Sequence, residues 1–246
     1  MIRKQSGGIS WLEFTLLQEA KLKHGVFLRH GGVSQSSFAS LNLGASVGDQ
    51  IESVKENRQR VQKILGLDSL IIGRQVHGVD ICVIDKQPPL GECDGLITQE
   101  KGLALTILHA DCQAAIFYDP VQHLVANIHC GWRGNVQNIY QKTVELLQKK
   151  GSCPENILVC ISPSLGPKNG QFIHYKQELP AYFQEFRQEG DLFDFWEISK
   201  MQLQKAGILF SHIECANLCT YENNLDFFSY RRDKNTGRHA TIVSLL

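Results

Sequence analysis

Leu103-Ala-Leu-Thr-Ile-Leu-His-Ala-Asp-Cys112 and Val125-Ala-Asn-Ile-His-Cys-Gly-Trp-Arg-Gly134 are two short apolar runs, each ending in a polar or glycine-rich turn. Bounded runs of this kind predict buried strands. Each carries a metal-ligand type of side chain at its break, Cys112 in the first and His129 in the second. Upstream, Arg74-Gln-Val-His-Gly78 does the same with His77. Three strand-end side chains of type His, Cys, His suggest one shared site.

The remaining elements alternate in type. Gly25–His30, Asp80–Asp85, Asn156–Ile161, Ile208–Ile213 and His239–Leu246 read as strands, and Ala114–Tyr118 joins the two opening stretches. Cys93-Asp-Gly-Leu-Ile-Thr98 reads as a turn and a short strand, and Lys86–Glu92, with Pro88-Pro89, as a loop. Ser53-Val-Lys-Glu56 fits a capping box for a helix carrying Val54, Val61, Ile64 and Leu65, with Gly66 as its C-terminal cap. Val136, Ile139, Tyr140, Thr143, Val144 and Leu147 trace one face of a helix ending near Gly151. Further helices are expected over Glu178–Gln188 and Phe195–Ala206, the second stopped by Gly207. Strands and helices mix throughout without an internal repeat or linker, so the expectation is one α/β or α+β domain spanning 1–246.

Composition narrows the partners. Apolar residues make up 43% and charged residues 20% of the 246, as in an ordinary globular protein. Lys+Arg and Asp+Glu both number 25, so no basic field exists to hold a nucleic-acid backbone. No window offers the roughly 20 apolar residues of a membrane span, and the N-terminus lacks a signal-peptide pattern. Eight cysteines are too sparse for a disulfide scaffold in a chain this long, so reduced thiols and a cytoplasmic location are expected. The expected partner is a small molecule or another protein surface.

Zinc accepts thiolate and imidazole, and a catalytic zinc keeps three protein ligands with a fourth position open. The wide spacing of His77, Cys112 and His129 excludes a compact finger and suits a site collected from several strand ends. Ordinary buried or turn residues fit the same spacing. His109 lies three residues before Cys112, on the opposite face of an extended segment, and reads as a core or lining residue. His212, Cys215 and Cys219 form a second grouping best read as structural. Cys112 with His129 also fits a nucleophile and base, with Asp111 as orienting carboxylate; metal binding would mask that thiolate. Arg29, Arg58, Arg133, Arg231 and Arg232 are candidate anion contacts, with pairing to surface carboxylates as the competing reading. Arg133 stands out because it sits beside His129 at a predicted helix N-terminus. Arg29 and Asn42, at the edges of a serine- and glycine-rich loop, are candidate contacts to ribose or phosphate.

The chain resembles the YfiH family, also called the laccase-domain or multicopper polyphenol oxidase family. The matching pieces are Arg29-His-Gly-Gly-Val-Ser34, Leu41-Asn-Leu-Gly44, Glu56-Asn-Arg58, Gln75-Val-His-Gly78, Cys93-Asp-Gly95, Ala110-Asp-Cys112, His129-Cys-Gly-Trp-Arg-Gly134 and Phe228-Ser-Tyr-Arg-Arg-Asp233. The resemblance implies a layered α-β-β-α sandwich with mixed sheets and His77, Cys112 and His129 as zinc ligands. It further implies phosphorolysis of purine nucleosides (adenosine, inosine, guanosine and methylthioadenosine), with adenosine deamination as a second activity. In that setting Asp111 and Arg133 would be catalytic, and Arg29, Asn42 and Arg133 would contact substrate. Rival expectations are a copper-dependent polyphenol oxidase, a metal-free cysteine hydrolase and a non-catalytic partner-binding protein. The chain departs from the family pattern at Ser162-Pro-Ser-Leu-Gly-Pro-Lys-Asn-Gly-Gln-Phe172, where the family carries a cysteine-containing Gly-Pro turn and a Tyr-Glu-Val. That departure bears on substrate preference rather than on the ligands.

Overall fold

The structure, a computed structural model, describes residues 1–85 and 91–246, so most of the loop expected over Lys86–Glu92 lies outside the described residues. The first part of the chain forms β1 (Ile2–Ser6), β2 (Ile9–Glu13), β3 (Leu22–Phe27), α1 (Ile51–Leu65), β4 (Leu70–Ile72), β5 (Ile81–Val83), β6 (Gly95–Thr98) and β7 (Ala104–His109). Then come β8 (Gln113–Asp119), β9 (Leu124–Cys130), α2 (Trp132–Val136), α3 (Ile139–Lys149) and β10 (Leu158–Ile161). The rest forms α4 (Tyr175–Glu178), β11 (Arg187–Gln188), β12 (Leu192–Phe193), α5 (Phe195–Lys205), β13 (Ile213–Cys215), α6 (Tyr230–Asp233) and β14 (His239–Leu245).

Two six-stranded mixed sheets result, in the orders β1-β2-β3-β14-β7-β4 and β13-β10-β8-β9-β6-β5; β11 and β12 pair separately. Side-chain alternation explains the layering. On β8, Ile116 and Tyr118 face the other sheet, where they join Leu22, Val26, Leu105 and Val243 in a shared core. Ala115 and Phe117 face the opposite way, against Tyr140, Val144 and Leu147 of α3 and Leu203 of α5. The outer face of the first sheet packs Ala104 and Ile242 against Val61 and Leu65 of α1. This is the expected α-β-β-α sandwich. Every residue of β8 and β9 is buried, so the two strands appear in sequence as continuous apolar runs. Each large apolar side chain removed from water here contributes about 1.5–3 kcal/mol.

One polar residue ties the sheets together. Asn127 of β9 is fully buried, and its Nδ2 donates to the Leu105 carbonyl (2.9 Å) and the Thr241 carbonyl (2.8 Å) of the opposite sheet. The strand period sends His129, two residues further on, to the same face.

Several sequence expectations are corrected. Helix α1 begins at Ile51, so Ser53 lies inside it and makes no capping bond; Gly66 does terminate it, at φ 59°. The helix expected from Val136 is two pieces, because Asn138 adopts φ 54° and caps α3 by accepting from Gln141 N. Glu178–Gln188 is not one helix: Pro180 separates α4 from a short 3-10 segment, and Arg187–Gln188 pair as strand. Ile208–Ile213 is a 3-10 turn leading into β13, and Asp80–Asp85 is an edge strand with Val83 53% exposed.

Candidate metal centre

The chain crosses from the first sheet to the second twice near one end of the sandwich, between β4 and β5 and between β7 and β8. His77 sits on the first crossing and Cys112 on the second, while His129 projects from β9. Both crossings need tight backbone: His77 has φ 60° and Asp111 φ 83°. The turn at Asp111 brings Cys112 to the site and leaves His109 behind. His109 is buried, its Nε2 bonding Thr241 Oγ1 at 2.8 Å and its ring lying 5.6 Å from that of His239.

One ligand atom each from His77, Cys112 and His129 lies within 4.8 Å of the others, and the two imidazoles meet edge to face at 4.8 Å. Among the described residues this is the one grouping of three or more His, Cys, Asp or Glu with metal-binding spacing, and His212, Cys215 and Cys219 do not converge. His77 is exposed, Cys112 half-buried and His129 buried.

Asp94 organises the trio. Its carboxylate is fully buried, with Oδ1 accepting from the His129 Nδ1 side at 2.7 Å and from His77 N at 2.9 Å. Oδ2 accepts from Gly78 N at 2.7 Å and Val76 N at 3.2 Å. One carboxylate thus fixes the His77 loop and the His129 ring together, leaving His129 Nε2 for the site, as outer partners of metal-bound histidines do. Burial alone would raise the Asp94 carboxyl, but the His129 contact and the amide bonds hold it below the usual range.

The charge state of the trio follows from the same contacts. Burial pushes the Cys112 thiol up; the His129 charge and hydrogen bonds to His129 and His77 more than offset this and bring it to about 6. Burial lowers His129, and the Cys112 thiolate and Asp94 raise it to about 9. The pair therefore favours thiolate and imidazolium.

The residues fit a thiophilic divalent cation. The donor set of one thiolate and two imidazoles is that of a three-ligand zinc site. Gly131 supplies a second observation: a Cβ there would lie 2.8 Å from His77 Nδ1 and 3.2 Å from Cys112 Sγ, so only glycine leaves the space beside the donors open.

The trio opens into a cavity of about 900 Å³. Trp132, Phe172 and Phe195 line one side, with Phe172 5.8 Å from Trp132 and 5.1 Å from Phe195 between ring centroids. Asp111 also lines it, with both carboxylate oxygens engaged, by Thr220 Oγ1 (2.7 Å) and Arg231 N (2.5 Å). Arg133 lines the mouth, exposed, with its guanidinium 4.4 Å over the Trp132 ring. Arg29 and Asn42 do not line the cavity. Arg29 donates to the carbonyls of Ala39 and Asn224 and stacks on Phe228; Asn42 is fully buried, bonded to Gly44, Asp49 and the Arg238 amide. Both brace the loop behind the wall. Arg232 is likewise spent on the carbonyls of Thr220, Tyr221 and Phe227. Asp94, behind His129, and Arg238, on the cavity wall, are positions that sequence reasoning did not single out; Asp94 carried a signal only as part of Cys93-Asp-Gly95.

Residues 23–246 match the family described as multi-copper polyphenol oxidoreductase laccase. The chain belongs to this family. Its curated relatives include a purine nucleoside phosphorylase YfiH of Escherichia coli, 34% identical over 89% of this chain and 91% of that protein. A purine nucleoside phosphorylase of Pseudomonas aeruginosa is 33% identical over 96% of this chain and 98% of its own length. Among solved structures, YlmD from Geobacillus stearothermophilus superposes with a TM-score of 0.89 at 30% identity, covering 99% of this chain and 98% of that one. The YfiH resemblance read from the motifs is therefore correct, and within this laccase-domain fold the divergent segment Ser162–Phe172 falls on the cavity wall through Ser164, Leu165, Gly170 and Phe172.

Proposed function

We propose that this chain is a zinc-dependent purine nucleoside phosphorylase that also deaminates adenosine, acting as one domain over 1–246 in the cytoplasm. The observation that carries the reading is the His77, Cys112, His129 trio, locked by Asp94 and opening into a cavity large enough to admit a nucleoside. The family relatives named purine nucleoside phosphorylases support the substrate class. Among the described residues no helix is long and apolar enough to cross a membrane.

In this reading His77, Cys112 and His129 hold zinc, which when bound supplies Lewis acidity to an oxygen of the reacting group. The chain's own residues do the rest. Trp132, Phe172 and Phe195 offer aromatic faces for the purine. Arg133, which stacking on Trp132 restricts to the cavity mouth, contacts the substrate there. Asp111, which lines the cavity and holds its α6 end through the Arg231 amide, serves as the acid or base. The same aromatic wall, set against the base, would keep water from that side of the substrate.

The family description also suggests a copper oxidase, but a multicopper centre needs more ligands than the trio that the described residues gather. The Cys112–His129 ion pair favours a second reading, a cysteine nucleophile, which zinc would silence. Purified zinc-loaded protein given adenosine and phosphate distinguishes these. Adenine with ribose-1-phosphate marks phosphorolysis and inosine marks deamination. Turnover of phenols after copper loading, with no nucleoside consumed, refutes the proposal. Cys112→Ser should remove zinc and activity together.

A further inference from the structure

The cavity is far more basic than the chain that forms it. The whole sequence is balanced at 25 basic and 25 acidic residues, yet the cavity is lined by Arg58, Arg74, Arg133, Arg231, Lys234 and Arg238 against the single carboxylate of Asp111. Arg74 pairs with Glu92 at 3.4 Å, and Asp111 is already engaged by Thr220 and the Arg231 amide. A neutral nucleoside would leave most of this charge uncompensated.

Two of these cations are built into the wall rather than set on its rim. Arg58, on α1, donates Nε and Nη2 to the Leu43 carbonyl at 3.0 and 2.8 Å. Arg238, at the start of β14, lays its stem on Gly44, where a Cβ would come within 2.8 Å of its Cγ; its Nη1 donates to the carbonyls of Thr236 and Gly237. Leu43 joins them directly, since its carbonyl receives Arg58 and its amide donates to the Arg238 carbonyl at 3.1 Å. Both side chains are only partly exposed, and among the described residues neither has a carboxylate within ion-pair distance. Arg58 Nη1 and Arg238 Nε and Nη2 have no protein acceptor among the described residues. Burial disfavours both charges, and for Arg58 nothing in the protein offsets it. Half-buried guanidinium groups with no carboxylate in ion-pair contact, Arg238 feeling Cys112 and Asp111 only at longer range, face the cavity with free N–H edges, the arrangement that recognises an oxyanion.

We propose that Arg58 and Arg238 form a phosphoryl-binding subsite on the wall made by Leu43 and Gly44, distinct from the Arg133 mouth. The ligand chemistry is a phosphate oxyanion, either free orthophosphate or a phosphate carried by the substrate. The proposal builds on the reading of this cavity as the substrate site but not on the identity of the reaction.

Binding rather than turnover tests it. Orthophosphate and adenosine 5′-monophosphate are titrated calorimetrically into the zinc-loaded full chain and into Arg58→Gln, Arg238→Gln and Arg238→Lys, with zinc content and Tm recorded for each. The glutamine variants should weaken phosphoryl binding about tenfold or more, with zinc content unchanged and partial retention by Arg238→Lys. Weakening for orthophosphate alone identifies the free ion as the ligand, and weakening for the monophosphate alone identifies a substrate-borne phosphate; either outcome supports the subsite. If Arg58→Gln does not fold, Arg58→Lys keeps the charge and a donor for Leu43, and loses only the fork. Wild-type affinity for both ligands in the folded variants, or no binding of either to the wild type, overturns the proposal. A chain that binds phosphate through these arginines yet leaves nucleosides intact would refute the proposed function and leave the subsite standing.

Discussion

Asp94→Asn is the sharpest probe of the candidate centre, because one substitution disturbs two ligands. The carboxylate has two donors on each oxygen: the His129 ring and His77 N on Oδ1, Gly78 N and Val76 N on Oδ2. An asparagine has one oxygen and one amide group, so in either orientation its N–H groups face two donors. Two buried donors left without an acceptor, at about 1–3 kcal/mol each, imply roughly 2–6 kcal/mol of lost stability. Loss of an outer-shell partner should also weaken zinc by about 10–100-fold. Competition with a chromogenic chelator measures the zinc affinity, and urea unfolding in excess chelator isolates the stability term. The stability gap has a defined pH window. Because the folded Asp94 carboxyl is held below the usual range, its contribution is present above about pH 4 and fades as pH falls further. Zinc affinity within about twofold of wild type would refute the view that Asp94 positions the donors.

Other perturbations reach different parts of the molecule. Gly131→Ala should fold normally but lose zinc, since its Cβ would crowd His77 Nδ1 at 2.8 Å; metal analysis after dialysis checks this. Phe172→Ala should raise KM for nucleosides with little change in zinc content, by about five- to a hundredfold if it stacks on the base. His24, His109 and His239 are all pushed down by burial, His239 to about 3, so each takes up a proton less readily in the fold than in the unfolded chain, where it titrates near 6.5. Their stability is present above pH 6.5 and lost as pH falls below it, so Tm of chelated protein should decline between about pH 6.5 and 4. A flat Tm over that interval contradicts the argument.

The buried half of the molecule is legible in the sequence because its strands are apolar on both faces. Ala114–Tyr118 and Val125–Ile128 announce themselves, and Gly66 and Gly207 stop their helices where the pattern says. The edge of the first sheet is not legible: Ile2-Arg-Lys-Gln-Ser6 is largely exposed and shows no alternation, and its strand character comes only from pairing with β2. Local signals also lose to tertiary ones: Asp49, held by Ser34 Oγ and Asn42 Nδ2, leads into a helix that starts at Ile51, and the Ser53 box falls inside it. Donor types and spacing singled out His77, Cys112 and His129, but the carboxylate that orders them is 17 residues from one and 35 from another. Arg29 and Asn42 mark the limit of that signal, because a polar loop residue looks the same in sequence whether it faces a ligand or props up a neighbour.

The two sheet crossings carry a mechanical consequence. His77 and Cys112 ride on the chain passing from one sheet to the other, and His129 grows from the second sheet beside the Asn127 tie. A cation gripped by all three works as a rivet through both plates of the sandwich, so its binding energy is also the energy that keeps that end shut. Stripped of metal, the protein should begin to come apart at this seam, and amide exchange should quicken first in residues 75–78 and 110–113 while the α3-covered face stays protected.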